Sequence, residues 1–141
     1  MPDIINPYIV GNPVTGQEMF FGRQDVFQFV TQSLIGQYRD NVIVLYGQQR
    51  TGKTSVLYQM PSHLGPLYLC IFMDMHGFAL EGLGGLLWEI ANHILRTLRR
   101  DYQIWFPPPN RAEFMIDPRN FFEYEFLHDT QLAIGGRHLL L

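Results

Sequence analysis

The sequence is poor in cysteine, in lysine and in long apolar runs, and each shortage excludes something. Cys70 is the one cysteine, so an intrachain disulfide is impossible and nothing suggests a secreted scaffold. The longest apolar run, Leu67 to Met73, is far too short to cross a bilayer. The start, Met1-Pro2-Asp3-Ile4-Ile5-Asn6, has no basic n-region and is not a signal peptide. These absences predict a soluble cytoplasmic protein with no membrane partner. Only 16% of the 141 residues are charged and the net charge is −3, which argues against a protein that coats nucleic acid by charge alone. Arginine occurs nine times, but too scattered for direct nucleic-acid binding, and lysine occurs once, at Lys53. With 47% hydrophobic residues there is ample material for one packed core and none of the signature of a disordered tail.

Pro2, Pro7, Gly11, Pro13 and Gly16 make the first twenty residues read as an extended arm with turns. Gln24 to Ile35 reads as a helix with Val26, Phe27, Val30 and Leu34 on one face. The continuous apolar run Val42-Ile43-Val44-Leu45-Tyr46, ending at Gly47, reads as a strand buried on both faces. A short helix is expected from Lys53 to about Met60, stopped by Pro61, and a second buried strand from Leu67 to Asp74, with Cys70 in the core. Leu83 to Arg100 carries Leu83, Leu86, Leu87, Ile90, Ala91, Ile94, Leu95 and Leu98 at helical spacing. Arg96, Arg99 and Arg100 then complement the negative end of that helix. Asp101 to Asp117, with three consecutive prolines, reads as a long loop. Asp117-Pro118 opens a further helix that contains Phe122 and Phe126 and ends at Gly135-Gly136. His138-Leu139-Leu140-Leu141 reads as the opening of a third strand. The alternation of strands and helices predicts an α/β chain with a parallel sheet flanked by helices.

Gly47-Gln48-Gln49-Arg50-Thr51-Gly52-Lys53-Thr54 fits G-x-x-x-x-G-K-[ST] at every fixed position. Glycines allow the backbone to curl so that successive amides point at one centre, where phosphates sit against the positive end of the following helix. Lys53 adds a point charge for the β- and γ-phosphate oxygens. Thr54 offers its hydroxyl to Mg2+, with Ser55 beside it. At average residue frequencies such a match arises by chance in roughly one chain in two hundred of this length. The preceding strand, the following helix and the placement of the sole lysine all favour a nucleotide site over a chance turn.

A phosphate loop does not by itself give a reaction. Met73-Asp74-Met75-His76-Gly77 resembles the D-x-x-G segment of GTPases. However, about twenty residues separate Lys53 from Asp74, and a guanine-reading N-K-x-D needs a second lysine. Asp74 is better read as a cap for the next turn, and Gly77 as a turn glycine. A small-molecule kinase is disfavoured because some forty residues precede the first strand. The segments Asn6 to Val14, Phe20-Phe21-Gly22-Arg23-Gln24-Asp25-Val26-Phe27 and Leu45 to Leu57 resemble the ATPase domain of bacterial AAA+/STAND-type proteins, including the subgroup similar to origin-recognition and archaeal ATPases.

This resemblance implies a P-loop NTPase fold, ATP/ADP and Mg2+ as ligands, and an ATP-driven regulatory switch. It implies an arm over residues 1–23 that lies across the nucleotide, with Tyr8, Ile9 and Val10 near the adenine and Gly22 and Arg23 closing that side. Residues 24–141 would be the first part of the αβα core. The family has an acidic residue after the arginine, where this chain has Gln24. The third strand of the family ends in two catalytic carboxylates, so the 141 residues read as a single incomplete domain truncated within the Walker B strand. On this expectation the carboxylates lie beyond Leu141, the chain alone binds nucleotide with little turnover, and its open sheet invites self-association or a protein partner. A nucleotide-binding or interaction module without hydrolysis is the alternative.

Overall fold

The computed structural model describes residues 23–35, 42–49, 51–78 and 82–141. The chain divides into two compact units, Met1–Gly65 and Pro66–Leu141. Both strands of the described residues belong to the second unit, and helix predominates over strand.

In the first unit, α1 spans Gln24–Ile35, the range the periodicity predicts. Its apolar face buries Phe27 and Val30. The next helix, α2, spans Lys53–Leu64 and buries Val56 and Met60. The Phe27 ring stacks on His63 with centroids 3.8 Å apart and planes 12° apart, which ties α1 to the last turn of α2. α2 runs through Pro61, where the sequence predicts a stop. Proline removes one i→i−4 bond. The carbonyl that loses its partner belongs to Leu57, in an exposed stretch where water can replace it. The Pro61 carbonyl itself accepts the Gly65 amide at 3.1 Å, closing the helix.

The strand expected at Val42–Tyr46 is not formed. Residues 42–48 carry no regular structure, and Val42, Val44 and Tyr46 are 89%, 77% and 98% exposed. Ile43 and Leu45 are half-buried, so the period-2 pattern survives with only one side covered. A strand is held by the ladder of a neighbour, and among the described residues no strand pairs with this segment.

The second unit is built around α3, Gly82–Tyr102. Ala91, Ile94, Leu95 and Leu98 are buried, while Leu83 at the start is exposed. The predicted stripe is therefore fully buried in its C-terminal half, with Leu87 and Ile90 partly buried against the same core. β1 is Tyr68–Cys70, shorter than the run Leu67 to Asp74, and β2 is His138–Leu140. They pair in parallel with Tyr68 opposite His138 and Cys70 opposite Leu140. The ladder extends one bond at each end, His138 N to Leu67 O at 2.7 Å and Ile71 N to Leu140 O at 2.8 Å. Backbone groups of alternate residues point to opposite edges of a strand. On the far edge of β1 the Tyr102 hydroxyl accepts from Cys70 N at 2.9 Å and donates to Cys70 O at 3.2 Å. Tyr102 thereby closes that edge with a side chain where a third strand would otherwise bond.

The segment expected to be a loop, Asp101 to Asp117, contains α4 at Arg111–Ile116. Asn110 caps it, its side chain accepting the Ala112 amide at 3.0 Å. Asp117 and Pro118 open the next helix as the sequence predicts, with Pro118 in its first turn and the Asp117 side chain accepting from Asn120 N. That helix proceeds as α5 (Pro118–Asn120), a π-type stretch (Phe121–Phe126) and α6 (Leu127–Ile134). The wider π turn accompanies an aromatic cluster in which Phe122 stacks on Phe126, and Phe126 lies against Phe106. Gly135, at φ 67, ends the helix and allows the turn into β2. Leu69, Ile71, the α3 residues, Ile104, Phe106, Phe114, Phe126 and Ile134 form one core.

Candidate functional site

Gly47 to Gly52 precede α2 and Lys53 and Thr54 open it, while the strand that the phosphate-loop pattern places before Gly47 is not formed. Gly52 occupies the N-cap position at φ 82 and ψ 17, left-handed backbone that favours glycine. Its carbonyl accepts the Val56 amide at 3.0 Å, the first bond of the helix. The first amides of α2 have no partner within the helix, and that end is where an anion is favoured. Gly47 is needed for a different reason. A Cβ there would come within 3.3 Å of Thr51 Oγ1 and crowd the hydroxyl that shapes the loop.

Side chains hold the loop from within. Lys53 folds back so that Nζ donates to Gly47 O at 2.8 Å and Gln48 O at 2.5 Å, with Thr51 Oγ1 at 3.4 Å. Thr51 Oγ1 donates to Gln48 O at 2.8 Å. Arg23, just before α1, donates through Nη2 to Thr51 O. The carbonyls of Gly47, Gln48 and Thr51 are therefore all engaged. In a planar trans peptide the N–H lies opposite the C=O. Engaging those carbonyls fixes the amides of Gln48, Gln49 and Gly52 in the opposite directions. The Lys53 ammonium beside the N-terminus of α2 is an arrangement able to bind a polyphosphate.

Among the described residues the Lys53 ammonium meets carbonyl and hydroxyl oxygens only. Gln48, Gln49 and Thr54 are exposed, and Ser55 is buried. Thr54 is exposed and carries a hydroxyl, an oxygen ligand of the kind Mg2+ takes. Among the described residues no cluster of three or more His, Cys, Asp or Glu could hold a metal. Mg2+ bound at the loop would take its remaining ligands from phosphate and water. Tyr8, Ile9, Val10, Gly22 and Arg50 lie outside the described residues. Arg23, expected beside the base, has its guanidinium on the loop carbonyl. Sequence reading missed that contact because it spans 28 residues and has no local pattern.

Asp74 and Gly77 do what the turn reading predicts. Asp74 Oδ1 accepts the His76 amide at 3.0 Å, capping the turn Met75–Gly77, and lies 2.9 Å from His76 Nδ1. The hydrogen bond from the His76 amide, and next that from its ring, hold the Asp74 carboxyl below the usual aspartate range. At the end of α3, Arg100 forms a two-bond pair with Asp101 at 2.6 and 2.8 Å, which lowers the Asp101 pKa, while Arg96 donates back to Asn92 O at 3.3 Å. Two of the three arginines thus serve their own helix. No helix among the described residues is long and apolar enough to cross a membrane. Compared with known proteins, the chain matches no family model, no curated protein and no solved structure.

Proposed function

We propose that this chain is an ATP-binding P-loop NTPase of AAA+/STAND type, in which bound nucleotide acts as a regulatory switch. One observation carries the reading. The single lysine of the sequence lies inside a glycine-shaped loop at a helix N-terminus, where it crosslinks the loop carbonyls. Lys53 binds the β- and γ-phosphates, the loop from Gly47 through Gly52 supplies amides, and Thr54 holds Mg2+ with Ser55 next to it. Gly47 to Ser55 contains no acidic residue. Hydrolysis needs a group to orient water and balance charge, which this segment does not supply, so binding is the activity assigned to the loop itself. The fold proposed is the αβα P-loop core; the parallel pairing of β1 with β2 is compatible with it. The turn-capping role of Asp74 favours the turn reading over a GTPase switch.

Calorimetric titration tests this. The chain is expected to bind Mg·ATP, and Lys53→Ala to lose that binding with its thermal transition intact. Equal affinity in the two proteins would refute the phosphate-loop reading, and selective binding of Mg·GTP over Mg·ATP would refute the nucleotide assignment.

A further inference from the structure

Arg23 has three properties that belong together. Its backbone is at φ 62, a left-handed conformation uncommon for a side chain of this size. Its carbonyl accepts the Val26 amide at 3.1 Å and the Phe27 amide at 3.2 Å, so it sets the start of α1. Its guanidinium donates to Thr51 O, 28 residues later. The Thr51 carbonyl and the Gly52 amide share one planar peptide and point opposite ways. That peptide leads into Gly52, the N-cap residue of α2, which is itself left-handed.

We infer that Arg23 is a positioning residue for the phosphate loop: by holding the Thr51 carbonyl it turns the Gly52 amide toward the phosphates. Its influence is then on the polyphosphate and is blind to the base. The inference rests on the phosphate-loop reading and deepens it. Arginine suits the task because its planar fork keeps a fixed direction, whereas a lysine ammonium would set the distance but not the plane. The positive φ points the same way, since the structure retains an unfavourable backbone where the side chain has a remote partner. Through Phe27, which stacks on His63, α1 also grips the far end of α2.

The test is titration of the full chain with Mg·ATP, Mg·GTP, inorganic triphosphate and adenosine, using Arg23→Gly and Arg23→Lys. Glycine adopts φ 62 without strain, so Arg23→Gly is expected to keep or raise the thermal transition, which a merely structural arginine would not allow. Its affinity is expected to fall about tenfold for ATP and for inorganic triphosphate alike, the size of a lost charge-assisted hydrogen bond. Arg23→Lys is expected to recover only part of it. A loss confined to ATP, with triphosphate binding unchanged, would overturn the inference and assign Arg23 to the base. Lys53→Ala separates the two levels. If it abolishes triphosphate binding while Arg23→Gly does not alter it, only the Arg23 role fails. If neither change alters triphosphate binding, the phosphate-loop reading fails as well.

Discussion

Cys70 shows how far one buried side chain departs from its behaviour in water. It is 5% exposed, at the end of β1, and burial pushes its thiol up to about 11. A desolvated thiolate is disfavoured, so the group stays neutral and inert over the ordinary pH range. Unfolding exposes it to a pKa near the ordinary 9.0. Between 9.0 and about 11 the unfolded chain has released this proton and the folded chain has not. Fewer protons on the unfolded state means that stability falls as pH rises through this window. Urea melts at pH 8 and 9.5 should show a decline for the wild type that is smaller in Cys70→Ser. Tyr102, whose pKa burial also raises, adds its own loss at higher pH. A thiol reagent at pH 8 should label Cys70 only once the chain unfolds. Rapid labelling of the native chain would contradict the burial. At this scale the sequence is legible where chemistry is local. Gly52 and Lys53 lie within one short pattern, and Asp74 caps a turn two residues away. Arg23 was out of reach because its partner is set by tertiary packing.

Elements are legible in proportion to their length and periodicity. α1 and α3 are long amphipathic helices, and the periodic pattern finds both within a residue or two. α4 escaped because six residues give less than two turns of pattern and three prolines stand before it. Its signal was the pair Asn110 and Glu113, a cap followed three residues later by an acid. The apolar run at 42–46 was misread for a reason that sequence does not carry: a strand depends on a partner, and run length alone does not supply one. Gly84 offers a test of helix packing in the second unit. It is buried in α3, and a Cβ there would lie 2.7 Å from the Phe114 carbonyl oxygen and 3.0 Å from Met115 Sδ. The absence of a side chain lets α4 approach α3. Alanine in place of glycine favours a helix by about 1 kcal/mol. The clash is with backbone and cannot be relieved by a rotamer change, so overpacking of about 1–3 kcal/mol should outweigh that gain. Gly84→Ala is expected to melt at lower urea concentration than the wild type, and a higher midpoint would contradict the close approach.

At the scale of the whole molecule, the sequence foretold a mixture of helices with parallel strands, and the structure contains it in modest form. Two strands of three residues each pair in parallel across an intervening run of helices. Their register follows from Leu69 and Ile71 facing the same core as α3, while the turn at Gly135 aims the chain back along β1. The loop that carries the proposed chemistry lies in the first unit, and the paired strands lie in the second. Lys53 is the only lysine, so the one peptide that contains it reports on the central claim for every lysine of the sequence. The most direct measurement is the rate of Lys53 acylation, followed by peptide mass spectrometry, with and without saturating Mg·ATP. Phosphates seated against Lys53 should slow its modification several-fold, and adenosine alone should not. Equal acylation rates with and without Mg·ATP would contradict the account.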